Sequence, residues 1–308
     1  MQLNGIHHVT AITGDARQNV DFNTRVLGLR LVAKTVNQDD TSAYHLFYAD
    51  EEGSPGADLT FFEYPGALPG AAGPGMVHRV VWRVASDEAI DFWEKRLEAE
   101  GISTRREGDE LVFANPEGMG HGLVVANGDP PLAARHPEIP AELALTGFEG
   151  VRLYSLRPSS TRQVLEQVMG ATAAGADVLE LRGPSRHGSV TLDGAPGGLR
   201  PMSGAGTVHH VAFWADNDDH PRWPGYLAEH GLRSTDVIDR HYFHSVYFRE
   251  PGGVLYEIAD HGPGFTRDQT PETMGQKVIL PPWLEPHRRA IEARLTPIDD
   301  PRAAWATA

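Results

Sequence analysis

Four segments of the chain share a strand pattern in which apolar residues flank one or two polar positions. They are Ile6-His7-His8-Val9, Val77-His78-Arg79-Val80, Phe148-Glu149-Gly150-Val151 and Val208-His209-His210-Val211. Apolar runs interrupted in this way predict strands. Because the pattern returns four times, we expect one structural unit to be repeated along the chain.

A helix is predicted after each of these strands. Each helical stretch begins near a short polar residue, which can accept hydrogen bonds from the free amides of the first turn. Each ends at a glycine, which can adopt the left-handed conformation that closes a helix. The expected N-caps are Asp15, Ser86, Ser159 or Ser160, and Asp216 or Asp218, and the closing glycines are Gly28, Gly101, Gly170 and Gly231. The four anchor residues (His8, Arg79, Gly150 and His210) precede these glycines by 20 to 22 residues, so the spacing supports a true repeat.

Short strands bounded by turns follow each helix, for example Tyr44–Tyr48 and Leu59–Phe62. A hairpin with a three-residue loop at Pro251-Gly252-Gly253 would place Tyr247 opposite Glu257 on one face of the sheet. The unit is therefore βαβββ, and the fold class predicted is α+β with four such modules in two tandem domains.

The predicted domain boundaries follow the modules. We expect a first domain of two modules over residues 1–135, a proline-containing linker over 136–145, and a second domain of two modules over 146–265. A C-terminal tail over 266–308 should carry one helix, from about Glu285 to Leu295. Its Pro281-Pro282-Trp283 segment is expected to pack across a module.

Composition narrows the range of functions. The 308 residues are 40% apolar and 22% charged, as in ordinary globular proteins. With 27 basic against 42 acidic residues the net charge is −15, which argues against nucleic acid or an anionic membrane as a partner. The absence of cysteine excludes disulfides, thiolate metal sites and cysteine nucleophiles. No secretory or membrane-spanning pattern is present. We therefore expect a cytoplasmic protein, and a homo-oligomer stays open.

The four modules differ in the chemistry that they carry at equivalent positions. The anchor is histidine in the first and fourth modules, as His8 and His210, but Arg79 in the second and Gly150 in the third. We align Phe62-Glu63-Tyr64 with Tyr256-Glu257-Ile258 in the last strands, and this alignment places Gly122 at the same position of the second module. The last strand of the third module cannot be aligned. Candidate metal ligands are therefore confined to modules one and four.

Two histidines and a carboxylate form a recognised metal-binding set. Imidazole and carboxylate suit borderline and hard divalent ions, and three such ligands on one face leave positions free for substrate and dioxygen. The repeat gives His8 and His210 this role, with a carboxylate from Glu63 or Glu257. The remaining candidate histidines lack such support and are interpreted as structural or solvent-exposed: His45, His121, His136, His187 and His220.

The sequence resembles the vicinal oxygen chelate superfamily, and within it the hydroquinone-type ring-cleaving dioxygenases. The segments that carry the resemblance include Gly5-Ile6-His7-His8-Val9-Thr10, Val208-His209-His210-Val211-Ala212-Phe213, Val36-Asn37-Gln38-Asp39-Asp40, Tyr44-His45-Leu46-Phe47-Tyr48, Gly53-Ser54-Pro55-Gly56 and Leu280-Pro281-Pro282-Trp283-Leu284-Glu285. The resemblance implies an extradiol-type dioxygenase that takes O2 as co-substrate and a small aromatic diol, most simply a hydroquinone. It implies Fe(II), with Mn(II) as a possible substitute, bound by His8, His210 and Glu257.

The resemblance also implies roles around the metal for His7, Thr10, His209, Arg240 and Tyr247. A fixed positive charge on Arg240 could stabilise an oxyanion on the substrate. The phenol of Tyr247 could exchange a proton with substrate or oxygen.

Two alternatives remain at this point. If Glu63 also binds the metal, the site becomes His2Glu2, which resembles glyoxalase-type isomerases or lyases and suits Zn²⁺, Ni²⁺ or Co²⁺. The other alternative is a non-catalytic protein of the same fold that binds a small molecule, since this fold supports several functions. A catechol-type arrangement with a ligand from the third module is not available, because that module offers Gly150.

Overall fold

The computed structural model describes residues 1–184, 186–303 and 305. Module one contains β1 (Leu3–Thr13), α1 (Ala16–Asp21) with a π-helical turn (Phe22–Val26), β2 (Arg30–Asn37), β3 (Asp40–Ala49) and β4 (Asp58–Glu63). Module two contains β5 (Met76–Val84), α2 (Asp87–Ala99), β6 (Arg105–Glu107), β7 (Glu110–Ala114) and β8 (Gly120–Val125). Module three contains β9 (Phe148–Tyr154), α3 (Pro158–Gln163) with a π-helical turn (Val164–Val168), β10 (Thr172–Ala173), β11 (Val178–Arg182) and β12 (His187–Asp193). Module four contains β13 (Val208–Ala215), a 3-10 turn (His220–Arg222), α4 (Trp223–Glu229), β14 (Ile238–Asp239), β15 (His244–Arg249) and β16 (Leu255–Ala259).

The remaining short helices lie in the linker and the tail. The linker contains a 3-10 turn (Ala141–Leu143). The tail contains 3-10 turns at Phe265–Arg267, Pro271–Thr273 and Glu285–His287, followed by α5 (Arg288–Glu292). The predicted tail helix is thus present but shorter than expected. None of the helices among the described residues is long and apolar enough to cross a membrane.

The four βαβββ modules assemble into two eight-stranded sheets, which confirms the predicted α+β fold. Modules one and four share the first sheet, in the order β14-β15-β16-β13-β1-β4-β3-β2. Modules two and three share the second, in the order β10-β11-β12-β9-β5-β8-β7-β6. Each sheet therefore combines one module from each half of the chain. The division into domains at 136–145 stays a prediction.

Two of the four predicted N-caps are confirmed. Asp15 accepts hydrogen bonds from the backbone amides of Arg17 and Gln18, and Ser86 accepts one from that of Ala89. All four closing glycines adopt positive φ angles, between 70° and 75°. The strand–helix–strand spacing read from the sequence therefore corresponds to real helix ends.

The other two N-cap predictions are wrong. Ser159 and Ser160 lie inside α3, which begins at Pro158. α4 begins at Trp223, well after Asp216 and Asp218. Both helices have proline in the first turn, where a fixed φ favours the helix and one amide that would need a cap is absent.

Helix α2 shows how the helices cover the sheets. Ile90, Trp93 and Leu97 recur at three- and four-residue spacing and are almost completely buried. The indole of Trp93 also donates a hydrogen bond to the carbonyl of Leu143, at 2.8 Å. This contact ties the linker to the second module.

The tail lies against the first sheet. Its Val278 forms a parallel bridge with Lys34 of β2, and Phe265 packs on Phe47 of β3 with ring centroids 4.9 Å apart. Trp283 is half exposed, and its ring centroid lies 5.7 Å from that of His241 in module four. The tail thus contacts both modules of the first sheet.

Candidate metal centre

The two His-His pairs lie at β-bulges in the antiparallel ladder between β1 and β13, at the centre of the first sheet. The register pairs Ile6 with Phe213 and His8 with Ala212, which leaves His7 as the extra residue of one bulge. A second irregularity leaves His209 extra in β13. Because a bulge interrupts the strict alternation of side chains across the sheet, the side chains of two consecutive residues can lie near the same site. The rings are 5.0 Å apart for His7 and His8, and 5.1 Å for His209 and His210.

The predicted ligands His8, His210 and Glu257 come together at this point. Nε2 of His8 lies 3.3 Å from Nε2 of His210 and 3.3 Å from Oε2 of Glu257. The distance between Nε2 of His210 and that same carboxylate oxygen is 2.9 Å. All three side chains are buried, and they form a group of potential metal-binding atoms within 4.8 Å of one another.

The geometry and chemistry of this group fit a divalent cation. Ligand atoms bound at roughly 2.1 Å to one metal stand about 3.0 Å apart when the bonds are perpendicular. The observed separations of 2.9 to 3.3 Å are close to this value. Oε2 of Glu257 is fully buried and has only the two imidazole nitrogens beside it, and neither forms a well-directed hydrogen bond to it among the described residues. An unpartnered buried carboxylate oxygen is unfavourable unless a cation compensates it.

For Glu257 and His210, the pKa shifts favour the protonation states that a metal requires. Burial alone would raise the pKa of Glu257, but His8 and His210 beside it hold that pKa well below its usual range. Burial lowers the pKa of His210. A carboxylate and neutral imidazoles are the forms that bind metal ions.

The outer nitrogens of both histidine ligands are held by their neighbours. Nδ1 of His8 lies 2.9 Å from Nδ1 of His7, and Nδ1 of His210 lies 2.8 Å from Nδ1 of His209. If Nε2 of a ligand binds the cation, its Nδ1 carries the proton and donates to the neighbouring ring. Such a hydrogen bond fixes the tautomer and the orientation of a metal-binding histidine.

Glu257 is oriented in the same manner by Ser245 of the adjacent strand. The hydroxyl of Ser245 donates a hydrogen bond of 2.5 Å to Oε1 of Glu257. This contact leaves Oε2 for the cation. Both residues are fully buried, so the carboxylate has little freedom to turn away.

The alignment of Glu63 with Glu257 is wrong. In module four, the second residue after His210 is Ala212, and it pairs with Glu257. In module one, the second residue after His8 is Thr10, and it pairs with Thr60. Thr60 therefore occupies the module-one position equivalent to Glu257, and Glu63 lies three residues further along. Glu63 instead accepts hydrogen bonds from the amide of Ala16 and the hydroxyl of Thr296. The sequence could not show this, because Phe62-Glu63-Tyr64 imitates the polarity pattern of Tyr256-Glu257-Ile258.

A small cavity opens beside the two histidines of this group. Arg240 and Tyr247 line it together with His8 and His210. Tyr247 pairs with Glu257 across the hairpin, as its register predicts. The ring of Tyr247 lies 5.6 Å from that of His210, and the guanidinium carbon of Arg240 lies 5.5 Å from the centre of the Tyr247 ring.

Arg240 is fixed across the cavity mouth by module one. Its guanidinium donates two hydrogen bonds to the carboxylate of Asp39, at 2.9 and 3.2 Å, and its carbonyl accepts one from Gln38. Burial alone would lower the pKa of Arg240, but Asp39 and Tyr247 raise it above the usual value. Burial and Glu257 raise the pKa of Tyr247. Arg240 is therefore a fixed cation, and Tyr247 is a protonated phenol at neutral pH.

Three of the predicted site residues do not line this cavity. His7 and His209 act on the ligands from outside, and His209 faces a separate cavity of about 300 Å³ beside Arg249. The hydroxyl of Thr10 lies 2.8 Å from that of Thr60. The structure thus places these three side chains behind the residues that line the cavity.

Sequence reasoning missed other residues of the cavity, above all His45, Phe62 and Phe243. His45 was interpreted as structural or solvent-exposed, but β3 carries it to the cavity wall. Phe243 packs against His7 and His8, with ring centroids 5.4 and 5.2 Å away. Aligning the modules by strand register instead of polarity would have matched His45 with Ser245 and so drawn attention to it.

In the second sheet, an ionic cluster occupies the position equivalent to the candidate metal centre. Its central ladder has bulges at His78 and Glu149, but the anchors are Arg79 and Gly150. The guanidinium of Arg79 pairs with Glu110, whose carboxylate fills the space beside Gly122. A protein cation thus stands where modules one and four provide metal ligands.

Comparison with known proteins identifies the family. The model of the Glyoxalase/Bleomycin resistance protein/Dioxygenase superfamily matches residues 5–119 and 151–258. The chain belongs to this superfamily. The two matched segments contain three of the four anchors, His8, Arg79 and His210, and the second segment includes Glu257.

Several superfamily relatives have names that describe ring cleavage. "Putative ring-cleaving dioxygenase MhqO" of Bacillus subtilis (strain 168) is 43% identical, over 96% of each chain. "Chlorohydroquinone/hydroquinone 1,2-dioxygenase" of Sphingobium indicum (strain UT26S) is 32% identical, over 92% of this chain and 93% of the relative. A crystal structure of a "putative dioxygenase" from Bacillus subtilis subsp. subtilis str. 168 has a TM-score of 0.89 at 39% identity, covering 97% of this chain and 98% of that one.

A more distant structure shows only the shared fold. Glyoxalase I from Zea mays has a TM-score of 0.60 at 14% identity, covering 83% of this chain and 92% of that one. At this identity the likeness says nothing about the reaction.

Proposed function

We propose that this superfamily member is an Fe(II)-dependent ring-cleaving dioxygenase that acts on a hydroquinone and inserts both atoms of O2. The observation that carries the proposal is the buried set of His8, His210 and Glu257, whose two histidines line one cavity with Arg240 and Tyr247. Two neutral imidazoles and one carboxylate on one side of a metal leave the other positions open. The names of the relatives at 32 to 43% identity support ring cleavage as the reaction class.

Iron bound by these three residues would supply oxygen activation and would favour ionisation of a coordinated substrate hydroxyl. Mn(II) prefers related ligands and could occupy the same set. Cleavage of the bond between a hydroxyl-bearing ring carbon and a neighbouring carbon without a hydroxyl would be of the extradiol type.

The cavity walls supply the remaining functions. Phe62 and Phe243 offer apolar surface for an aromatic ring. The fixed charge of Arg240 would stabilise negative charge on a substrate oxygen. The phenol of Tyr247, protonated because its pKa is raised by burial and by Glu257, would donate a proton to a substrate oxygen in the cavity.

The isomerase alternative has no support from the geometry. A His2Glu2 site would need Glu63, whose Oε1 is engaged by Ala16 and Thr296. Its strand position is also three residues away from the one that faces the cation. We therefore propose no function that depends on Glu63 as a ligand.

The test is oxygen uptake after anaerobic reconstitution with Fe(II). Hydroquinone should consume one O2 per ring, and mass spectrometry with isotopically labelled O2 should find both labelled atoms in an open-chain product. Catechol should react more slowly. Glu257→Gln is the matched control, because it keeps the side chain's size but removes its charge, and it should consume no O2. Uptake that does not depend on iron, or a product with an intact ring, would overturn the proposal.

A further inference from the structure

His45 is a polar cavity residue to which neither the metal centre nor the ring-opening chemistry assigns a role. It projects from β3 between Phe47 and Phe62, with ring centroids 3.9 and 4.4 Å away. Nε2 lies 2.9 Å from the hydroxyl of Thr60, which in turn contacts that of Thr10. Among the described residues Nδ1 of His45 has no hydrogen-bond partner, and it is not one of the fully buried unpartnered atoms. Nδ1 is therefore the ring nitrogen available to a ligand in the cavity that His45 lines.

The pseudo-symmetry of the first sheet explains the position of His45. In module one, His45 pairs with Phe62, the second residue after Thr60. In module four, Ser245 pairs with Ala259, the second residue after Glu257. His45 is thus the counterpart of Ser245. His45 hydrogen-bonds to Thr60, and Ser245 hydrogen-bonds to its equivalent Glu257. Because Thr60 is a neutral residue and not one of the predicted ligands, His45 is free to bind a different partner through its other ring nitrogen.

His45 and Tyr247 stand on opposite walls of the cavity. Their strands, β3 and β15, are five strand spacings apart in the sheet, or about 24 Å if the sheet were flat. Both side chains nevertheless line one cavity, so the sheet curls around it. A ring that is bound to the metal and faces Tyr247 on one side would present its remaining groups to the other wall.

The second hydroxyl of an aromatic diol needs a partner that depends on its position. In a catechol the second oxygen is adjacent to the first and can share the metal. In a hydroquinone it lies at the far end of the ring, where burial without a hydrogen bond would be unfavourable. A hydroxyl both donates and accepts, so either tautomer of His45 can bind it through Nδ1.

We propose that His45 binds the substrate hydroxyl para to the metal-bound oxygen and so selects hydroquinones. This inference rests on the proposed function and adds to it the residue that recognises the second hydroxyl. Thr60 and Thr10 act as positioning residues, because their hydroxyls hold the imidazole in place.

The test compares two ligands that differ only at the para position. Anaerobic calorimetric titration of the Fe(II)-loaded protein measures the affinity for hydroquinone and for 4-methylphenol, in which a methyl group replaces the para hydroxyl. The wild type should prefer hydroquinone by about tenfold, the value of one hydrogen bond. His45→Phe should abolish this preference and keep its affinity for 4-methylphenol and its iron content.

The matched control is His121→Phe in the second sheet. His121 is buried, and its ring stacks on Phe113 at a centroid distance of 5.2 Å, but it lies outside the cavity. This variant should keep the tenfold preference. If His45→Phe does not fold, Thr60→Val removes the hydroxyl that holds Nε2 and should reduce the preference about threefold.

The outcomes separate the two proposals. An unchanged preference in His45→Phe, or in Thr60→Val where that variant replaces it, would overturn the role of His45 while leaving a phenol-binding dioxygenase intact. Equal affinity of the wild type for both ligands would also overturn it. If neither phenol bound the wild type, the proposed substrate class would be wrong, and the role of His45 with it.

Discussion

Glu257 and Glu63 show how surroundings decide what a buried carboxylate does. Oε2 of Glu257 is unpartnered beside two imidazoles, which lower its pKa despite full burial. Burial raises the pKa of Glu63, although hydrogen bonds from Thr296 and Ala16 oppose the shift. We conclude that Glu257 is arranged for a cation, whereas Glu63 joins the start of α1 to the tail.

Removing the two carboxylates should therefore have different effects on iron content. Glu257→Gln should lose most of its iron, since a neutral amide oxygen is a much weaker metal ligand than a carboxylate oxygen. Glu63→Gln should retain about one iron per chain and lose about 1 kcal/mol of stability, because a neutral amide still offers an oxygen to its partners. Elemental analysis after anaerobic reconstitution and dialysis measures both. Equal iron loss in the two variants would contradict the assignment of Glu257 alone as the carboxylate ligand, and would support a His2Glu2 site.

Tyr247→Phe should separate metal binding from turnover. Iron content should be unchanged, while hydroquinone turnover falls by about 10²–10⁴-fold if Tyr247 transfers a proton in the slow step. Tyr48→Phe is a matched control, because that buried hydroxyl bonds to Asn19 instead, at 2.8 Å. The control should lose about 1 kcal/mol of stability and no turnover. Single-turnover oxygen consumption is the measurement, and full activity in Tyr247→Phe would leave this residue a packing role.

At the scale of elements, the sequence predicted the strands and helices better than their register. The helix ends at Gly28, Gly101, Gly170 and Gly231 could be predicted because left-handed backbone favours glycine. The bulges at His7 and His209 could not, since they depend on how β1 pairs with a strand some 200 residues away. The error at Glu63 has the same origin. Register is a property of two strands, whereas polarity can be read from one.

The buried carboxylate of Asp129 joins two strands of the second sheet and predicts that the stability of the fold depends on pH. Asp129 bonds to Arg83 of β5 and to the backbone amide of His187 at the start of β12. Burial would raise the pKa of Asp129, but these contacts outweigh it and lower the pKa to about 2. A carboxylate whose pKa is lower in the folded state stabilises the protein above its unfolded pKa. That stabilisation is lost as the pH falls from about 4 to about 2.

Asp129→Asn should therefore be less stable at pH 7 by about 2 kcal/mol, the equivalent of the shift in pKa. The difference from wild type should shrink towards pH 2. Urea unfolding at several pH values measures it, with the exposed Asp218→Asn as a control that should show no such trend. A deficit that stays constant with pH would mean that the charge of Asp129 does not stabilise the fold.

At the scale of the whole molecule, the candidate metal centre combines residues from the first and the fourth module. His8 lies in module one, and His210 and Glu257 lie in module four, which share one sheet. The repeat predicted that ligands would come from these two modules, because only they carry histidine anchors. It did not predict that modules two and three would form a sheet of their own. That pairing depends on contacts between distant strands, which a single sequence does not display.

A chain divided between Arg135 and His136 should show this dependence. Each sheet needs one module from each of the two fragments. Neither fragment alone should therefore bind iron with high affinity. Mixing the fragments should restore binding of about one iron per pair. Iron titration of each fragment and of the mixture measures this, and wild-type affinity in either fragment alone would contradict a site shared between modules one and four.

The most direct test of the central claim is an anomalous difference map at the iron edge from crystals loaded anaerobically with Fe(II). We expect one strong peak per chain, at roughly 2.1 Å from Nε2 of His8, Nε2 of His210 and Oε2 of Glu257. The remaining positions should face Arg240 and Tyr247. A peak bound by Glu63, or one beside Arg79 in the second sheet, would contradict the metal centre on which the proposed dioxygenase depends.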